Sequence, residues 1–255
     1  MTTPRFFEYY DEIAEVLHNK TLIGVTGYKR SGKDTVAREL CVNLDLVSDW
    51  FAGPVKAVSS LITGIPEVLF SDDDYKEQPY DVDAHQMLTN CELGEKPLHD
   101  ALSMVYCGLL PSAVVQLELS RAMKLTVQTF LDGPTTPRKA AQLIGTEWAR
   151  EHVHPQIWVK HLFFNLAMDC VRYPDIQGCI IPDVRFLNEA DELLRLGGKI
   201  LRVERPGVGL TDSHASEREV ALIPISFLVS NSGSKEQLFD RVRSWAASDF
   251  ASTVE

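Results

Sequence analysis

Apolar residues follow two alternating spacings along most of the chain. Residues 6–18 place Phe6, Tyr9, Tyr10, Ile13, Val16 and Leu17 at mixed three- and four-residue steps, which predicts a packing helix with one apolar face. Leu22-Ile23-Gly24-Val25-Thr26 is a short, mostly apolar run ending at Gly27, the form of a buried strand, and a helical pattern follows from Lys33 to about Leu44. A second short strand is expected to end at Trp50-Phe51-Ala52, where Gly53-Pro54 breaks it before a helix carrying Val55, Val58, Leu61 and Ile62. Between about Gly64 and Pro137 the pattern changes. Asp72, Asp73 and Asp74 form a solvated run, several prolines appear, and helical spacings near 98–109 and 112–129 come without a clear strand, so this stretch reads as an insertion. The regular pattern then resumes with helices at 138–150 and 155–172, the strand Cys179-Ile180-Ile181, and a helix at 186–196 stopped by Gly197-Gly198. The strand Lys199–Val203, a last strand at 226–230 and a helix from about Lys235 to Trp245 complete it. Strands alternating with helices predict an α/β fold with a mostly parallel central sheet flanked by helices. The expected organisation is a single domain over residues 1–255, with a core of about 20–63 and 138–245, a largely helical insertion at 64–137 and an N-terminal extension helix at 1–19.

Composition narrows the partners. With 25 Lys and Arg against 36 Asp and Glu, the formal charge is −11, which argues against duplex nucleic acid, a ligand bound by neutralising many phosphates. A small anion in a locally basic pocket remains compatible. The 5 cysteines are scattered without a C-x-x-C spacing, so neither a disulfide framework nor a zinc site is indicated and a reducing compartment is expected. His152, His154 and His161 share no helix face and are poor candidates for a metal site. The acidic N-terminus lacks the form of a signal peptide, and no stretch approaches the roughly 20 apolar residues of a membrane helix, so a cytoplasmic protein without membrane contact is expected.

The sharpest chemical signal is Gly27-Tyr28-Lys29-Arg30-Ser31-Gly32-Lys33-Asp34-Thr35, directly between a strand and a helix. Glycines let backbone N–H groups turn inward around phosphate oxygens, the helix dipole adds to them, and Lys33 reaches the β- and γ-phosphates. Asp34 stands where Ser or Thr usually follows the lysine and Thr35 comes one residue later, a departure that suits a small-molecule kinase better than a GTPase. Asp183, at the end of a central strand, is placed to hold Mg²⁺ directly or through water, with a helix N-cap as the alternative. Arg185 is a candidate phosphate clamp and Glu189 lies about one turn into the next helix, a surface ion pair being the plainer reading of both. Lys56, just past Gly53-Pro54, is a candidate for the acceptor phosphate, and Arg138 for a lid arginine neutralising charge in transfer. A solvated side chain is the alternative for each.

These blocks together resemble the deoxynucleoside monophosphate kinases encoded by tailed bacteriophages. The resemblance rests on the loop Lys29–Thr35, on Ala52-Gly53-Pro54-Val55-Lys56, on Gln142-Leu143-Ile144-Gly145-Thr146, on Trp158-Val159-Lys160 and on Pro182-Asp183-Val184-Arg185. It continues through Arg205-Pro206-Gly207, Asp212-Ser213-His214 with Glu217, and Asn231-Ser232-Gly233-Ser234, covering about residues 21 to 243 in order. It implies a P-loop kinase fold with an inserted lid and monophosphate-binding region, and an enzyme using ATP and Mg²⁺ to convert deoxynucleoside monophosphates to diphosphates for phage DNA synthesis in the host cytoplasm. Residue by residue, it implies ATP binding by Lys29, Arg30, Ser31, Gly32, Lys33, Asp34, Thr35, Arg138 and Asn231. It implies monophosphate binding by Gly53, Pro54, Lys56, Gly145, Thr146, Trp158, Asp183, Arg185 and Glu189. Asp34 and Asp183 are then the metal-side residues, and Lys33, Arg138, Asp183 and Arg185 the catalytic ones. The expected partner is the substrate itself, and a homodimer is compatible with the sequence. A kinase of another small acceptor, or a nucleotide-binding ATPase that transfers nothing, are the competing readings.

Overall fold

A computed structural model describes residues 13–82, 134–209 and 219–250. The patterns at 98–109 and 112–129, the segment Asp212–Glu217 and most of the first helix lie outside them. The described residues divide into two compact units, one containing those of 52–161 and the other those of 13–51 and from Leu162 onward.

In the second unit, helical residues 13–18 (α1) lead into β1 (Thr21–Thr26), α2 (Lys33–Leu44) and β2 (Val47–Ser48). After the first unit come the rest of α5 (Ile157–Arg172), β3 (Gly178–Ile181), α6 (Leu187–Arg195), β4 (Lys199–Glu204), β5 (Phe227–Ser230) and α7 (Lys235–Phe250). The strands form a five-stranded sheet in the order β2-β3-β1-β4-β5, and every pairing is parallel. The central strands are apolar at nearly every position because helices cover both faces. Ile23, Val25, Val36, Leu40, Ile180, Leu201, Val203, Val242 and Trp245 form the core on the α2/α7 side, where each large apolar side chain contributes about 1.5–3 kcal/mol on burial. Chain order reverses at β1, whose neighbours are β3 and β4, so the loop after β1 opens at the switch point where ligands bind in open α/β sheets.

The first unit contains α3 (Ala52–Thr63), a 3₁₀ turn (Glu67–Phe70), α4 (Pro137–Gln142), an 11-residue π-helix (Leu143–Val153) and the start of α5. Its core joins Val58 and Ile62 of α3 with Phe70, Ala140, Ile144, Trp148 and Trp158. The helix expected at 138–150 is therefore α-helical only to Gln142.

The second strand differs from expectation. It stops at Ser48, and the chain is already helical at Ala52, with Gly53-Pro54 inside the first turn. Proline at that place loses nothing, because the first N–H groups of a helix have no intrahelical acceptor. The chain leaves the second unit after Phe51 and returns to it at Leu162. On the second unit's side of these crossings, the Phe51 and Phe163 rings meet edge to face with centroids 6.1 Å apart.

Candidate active site

The loop after β1 is shaped by its backbone. Gly32 sits at φ 101°, and a Cβ there would lie 2.5 Å from Asn231 Nδ2, so neither its conformation nor its surroundings accept a side chain. Arg30 occupies the left-handed region at φ 68° despite its side chain. Asn231, directly after β5, donates from Nδ2 to Ser31 O at 2.8 Å and from its own N–H to Glu204 O at 2.7 Å. The part-buried Asn231 thus braces the loop from behind. Ser31 N–H closes on Tyr28 O at 3.0 Å.

Gly32 caps α2 without a side-chain hydrogen bond, so the N-terminal end of the helix dipole meets the loop through backbone alone. The Lys33 side chain is 12% exposed, with Nζ 4.0 Å from the exposed Asp34 carboxylate. Thr35 is part-buried, while Lys29 and Arg30 are exposed. Two hydroxyls, Thr26 Oγ1 and Ser31 Oγ, are buried here with no hydrogen-bond partner among the described residues. A backbone cradle with a helix N-terminus, a recessed lysine and an orphaned hydroxyl fits a phosphate chain. Beside it, a cavity of about 340 Å³ is lined by Tyr28, Ser31, Val203, Pro206, Val208 and Ser230, with Glu204 and Arg205 also on its wall. An apolar pocket with a few polar groups next to a phosphate cradle suits a nucleoside.

On the other side of β1 lies the end of β3. Asp183 is 7% exposed, and its Oδ1 accepts the N–H of Phe51 at 3.0 Å. It does not cap α6, which begins at Leu187, so the N-cap alternative falls away. Glu189 is 2% exposed, and its Oε2 accepts the N–H groups of Arg185 at 2.8 Å and Phe186 at 3.1 Å. Glu219 Oε2 accepts Leu187 N–H at 2.8 Å. Glu189 therefore fixes the turn that carries the part-buried Arg185, rather than presenting its carboxylate outward.

Sequence reasoning missed Asp49. It follows β2, donates its N–H to Ile180 O at 3.1 Å and accepts Trp50 N–H on Oδ1 at 2.7 Å. Burial pushes its carboxyl above the usual range, the Trp50 hydrogen bond opposes this, and the Asp183 and Asp169 carboxylates push it further up. An acidic residue at a strand's C-terminal edge was the available signal, hidden because the strand was expected to run to Ala52. Among the described residues no group of three or more His, Cys, Asp or Glu is placed to hold a metal. Asp183 keeps a buried carboxylate at the end of β3 and Asp34 an exposed one at the start of α2, the donor type that Mg²⁺ takes in ones or twos together with water and phosphate oxygens. Burial raises the thiols of Cys41, Cys170 and Cys179 above their ordinary range, which disfavours a thiolate nucleophile at these positions.

In the first unit, Lys56 Nζ donates to Ser71 Oγ at 3.1 Å. Gly145 is required by close approach: a Cβ would lie 2.7 Å from Val55 Cγ1 in the first turn of α3. Trp158 is fully buried and donates from Nε1 to Gly145 O at 2.8 Å, so it supports the π-helix by holding Gly145. Thr146 is part-buried on the same helix. Arg138 pairs with Glu77 through its side chain and donates its N–H to Lys76 O at 3.0 Å, while Lys76 pairs with Asp73. The structure thus brings Lys29–Thr35, Asn231, Asp183, Arg185 and Glu189 together in the second unit, and holds Gly53, Pro54, Lys56, Arg138, Gly145, Thr146 and Trp158 in the first.

Residues 21–242 match the family described as deoxynucleotide monophosphate kinase. The chain is 26% identical over 237 residues to a putative deoxynucleotide monophosphate kinase of Acanthamoeba polyphaga mimivirus, covering 87% of this chain and 93% of that protein. It is 25% identical over 245 residues to the deoxynucleotide monophosphate kinase of Enterobacteria phage T4, covering 87% and 97%. Against the deoxynucleoside-5'-monophosphate kinase of Escherichia phage T5 the identity is 31% over 194 residues, covering 68% and 71%.

Proposed function

The chain belongs to the deoxynucleotide monophosphate kinase family, and on that premise we propose that it transfers the γ-phosphate of ATP, with Mg²⁺, to deoxynucleoside monophosphates for phage DNA precursor synthesis in the host cytoplasm. The observation that carries the donor side is the braced loop: a helix N-terminus beginning at Gly32, the recessed Lys33 and a backbone held by Asn231. No described helix is long and apolar enough to cross a membrane, which is compatible with that location.

Phosphoryl transfer asks little covalent chemistry of the protein, so positioning and charge stabilisation dominate. The loop N–H groups and Lys33 hold the β- and γ-phosphates, and the cavity beside Tyr28 takes the donor nucleoside. Mg²⁺ supplies positive charge against the phosphate oxygens when bound, and Thr35, Asp34 and Asp183 are the residues that would hold it, the carboxylates directly or through water. In the first unit, Lys56 serves the acceptor phosphate, Gly145 and Thr146 line the acceptor side and Arg138 neutralises charge in transfer; in the second, Arg185 is a phosphate clamp. The attacking phosphate oxygen is already anionic near neutral pH, so no general base is needed.

The test is a coupled ADP-release assay with ATP and Mg²⁺ across the deoxy- and ribonucleoside monophosphates, with products separated by chromatography. ADP release that depends on a deoxynucleoside monophosphate and yields its diphosphate is expected. ADP release indifferent to every monophosphate would overturn the proposal in favour of a nucleotide hydrolase.

A further inference from the structure

Glu147 stands out in the first unit. Its Oε2 is withdrawn from solvent, and no hydrogen-bond donor of the described residues reaches it. A carboxylate only accepts, and a buried acceptor without a donor is costly to keep. The backbone that carries it is fixed by its neighbours. Gly145 is pressed on Val55 and its carbonyl is held by Trp158, while Ile144, Trp148 and Ala149 are fully buried. π-Helical geometry is itself rare. Its neighbour Thr146, and Lys56 beside Val55, are acceptor-side residues in the reading above, on which this inference rests.

We propose that Glu147 is a specificity-determining residue that accepts a hydrogen bond from the nucleoside part of the acceptor, at a base N–H or a sugar O–H. A phosphate end is excluded, since two anions in contact repel. Among the bases, guanine matches a carboxylate best, because its N1–H and N2 amino group are adjacent donors. Thymine matches it worst, because its single N3–H lies between two carbonyl acceptors. A base contact therefore favours the guanine nucleotide, whereas a sugar contact treats all four alike.

Glu147→Gln keeps the shape, removes the charge and leaves one acceptor oxygen where the carboxylate had two. Acceptor KM and kcat are measured for dGMP, dAMP, dCMP and dTMP, for a 3'-deoxy analogue of each, and for ATP, together with thermal unfolding of both proteins. We expect acceptor KM to rise about tenfold or more for at least one deoxynucleotide, with kcat within about threefold and the KM for ATP unchanged. A rise largest for dGMP assigns the base, and an equal rise that the 3'-deoxy analogues do not show assigns the sugar. Acceptor KM within about twofold of wild type for all four overturns the proposal, whatever the unfolding midpoint does. If Glu147→Gln is unfolded at the assay temperature, Glu147→Asp, which retracts the charge by one methylene, is held to the same thresholds. A wild-type protein that phosphorylates no monophosphate defeats the kinase reading, which is distinct from an active wild type matched by its variant.

Discussion

The side-chain amide of Asn231 donates to the carbonyl of Ser31 at 2.8 Å, joining positions 200 residues apart. The same amide nitrogen lies where a Cβ on Gly32 would have to go. The phosphate loop is thus shaped as much by the chain after β5 as by its own glycines.

Asn231→Ala removes that brace and leaves the loop free to relax. A neutral hydrogen bond contributes about 0.5–1.5 kcal/mol, so the KM for ATP should rise roughly three- to tenfold, with a smaller change in the acceptor KM. Gly32→Ala adds both a strained φ and a clash, each of order 1–3 kcal/mol, and should lower kcat/KM by about a hundredfold. Steady-state kinetics with ATP varied at saturating acceptor check both.

Asp183 anchors Phe51 N–H, and one pair of variants separates that anchor from the charge role proposed for it. Asp183→Asn keeps an oxygen to accept Phe51 N–H but loses the charge, so kcat should fall about 10²-fold or more while the unfolding midpoint stays near wild type. Asp183→Ala loses both, and its melting temperature should drop as well. Calorimetry beside single-turnover transfer distinguishes the anchor from the charge.

Asp49 yields a pH dependence with a definite sign. Its folded-state pKa is raised by burial and by Asp183 and Asp169, against an ordinary value of 3.8. The folded state therefore holds this proton more tightly than the unfolded chain does. The stabilisation is fully present below the unfolded value and is lost as pH rises through the folded one. Above that range the ionised group opposes folding. Asp49→Asn, which can still accept Trp50 N–H, should therefore raise the melting temperature at neutral pH, and the gain should vanish in mild acid. Thermal unfolding of both proteins from pH 3 to pH 8 measures it.

Trp158→Phe removes the indole hydrogen bond to Gly145 O in the core. Stability should fall by about 0.5–1.5 kcal/mol, and the acceptor KM should rise more than the KM for ATP. Urea unfolding and kinetics with the acceptor varied test the two parts separately.

Much of the sheet unit was legible from spacing. β1, the loop and α2 were expected at the places they occupy, because an apolar run, a glycine loop and a 3.6-residue period each leave a local mark. Gly197-Gly198 likewise marked the end of α6. Less local features were not legible. Pro54 reads as a break between elements until the helix start at Ala52 shows that the first turn tolerates it. The π-helix shares its apolar spacing with an α-helix over one or two turns, so periodicity could not announce it. Glu189 and Trp158 were singled out for ligand contact, but their burial and their backbone partners are tertiary facts without a sequence signature. Asp49 and Glu147 became visible only once neighbouring elements enclosed their carboxylates.

The edge-to-face contact of Phe51 and Phe163 closes the sheet unit upon itself between β2 and β3, where the chain departs for residues 52–161 and comes back. Those residues are an excursion in the topological sense: all five strands, the loop after β1 and the Asn231 that braces it lie outside them.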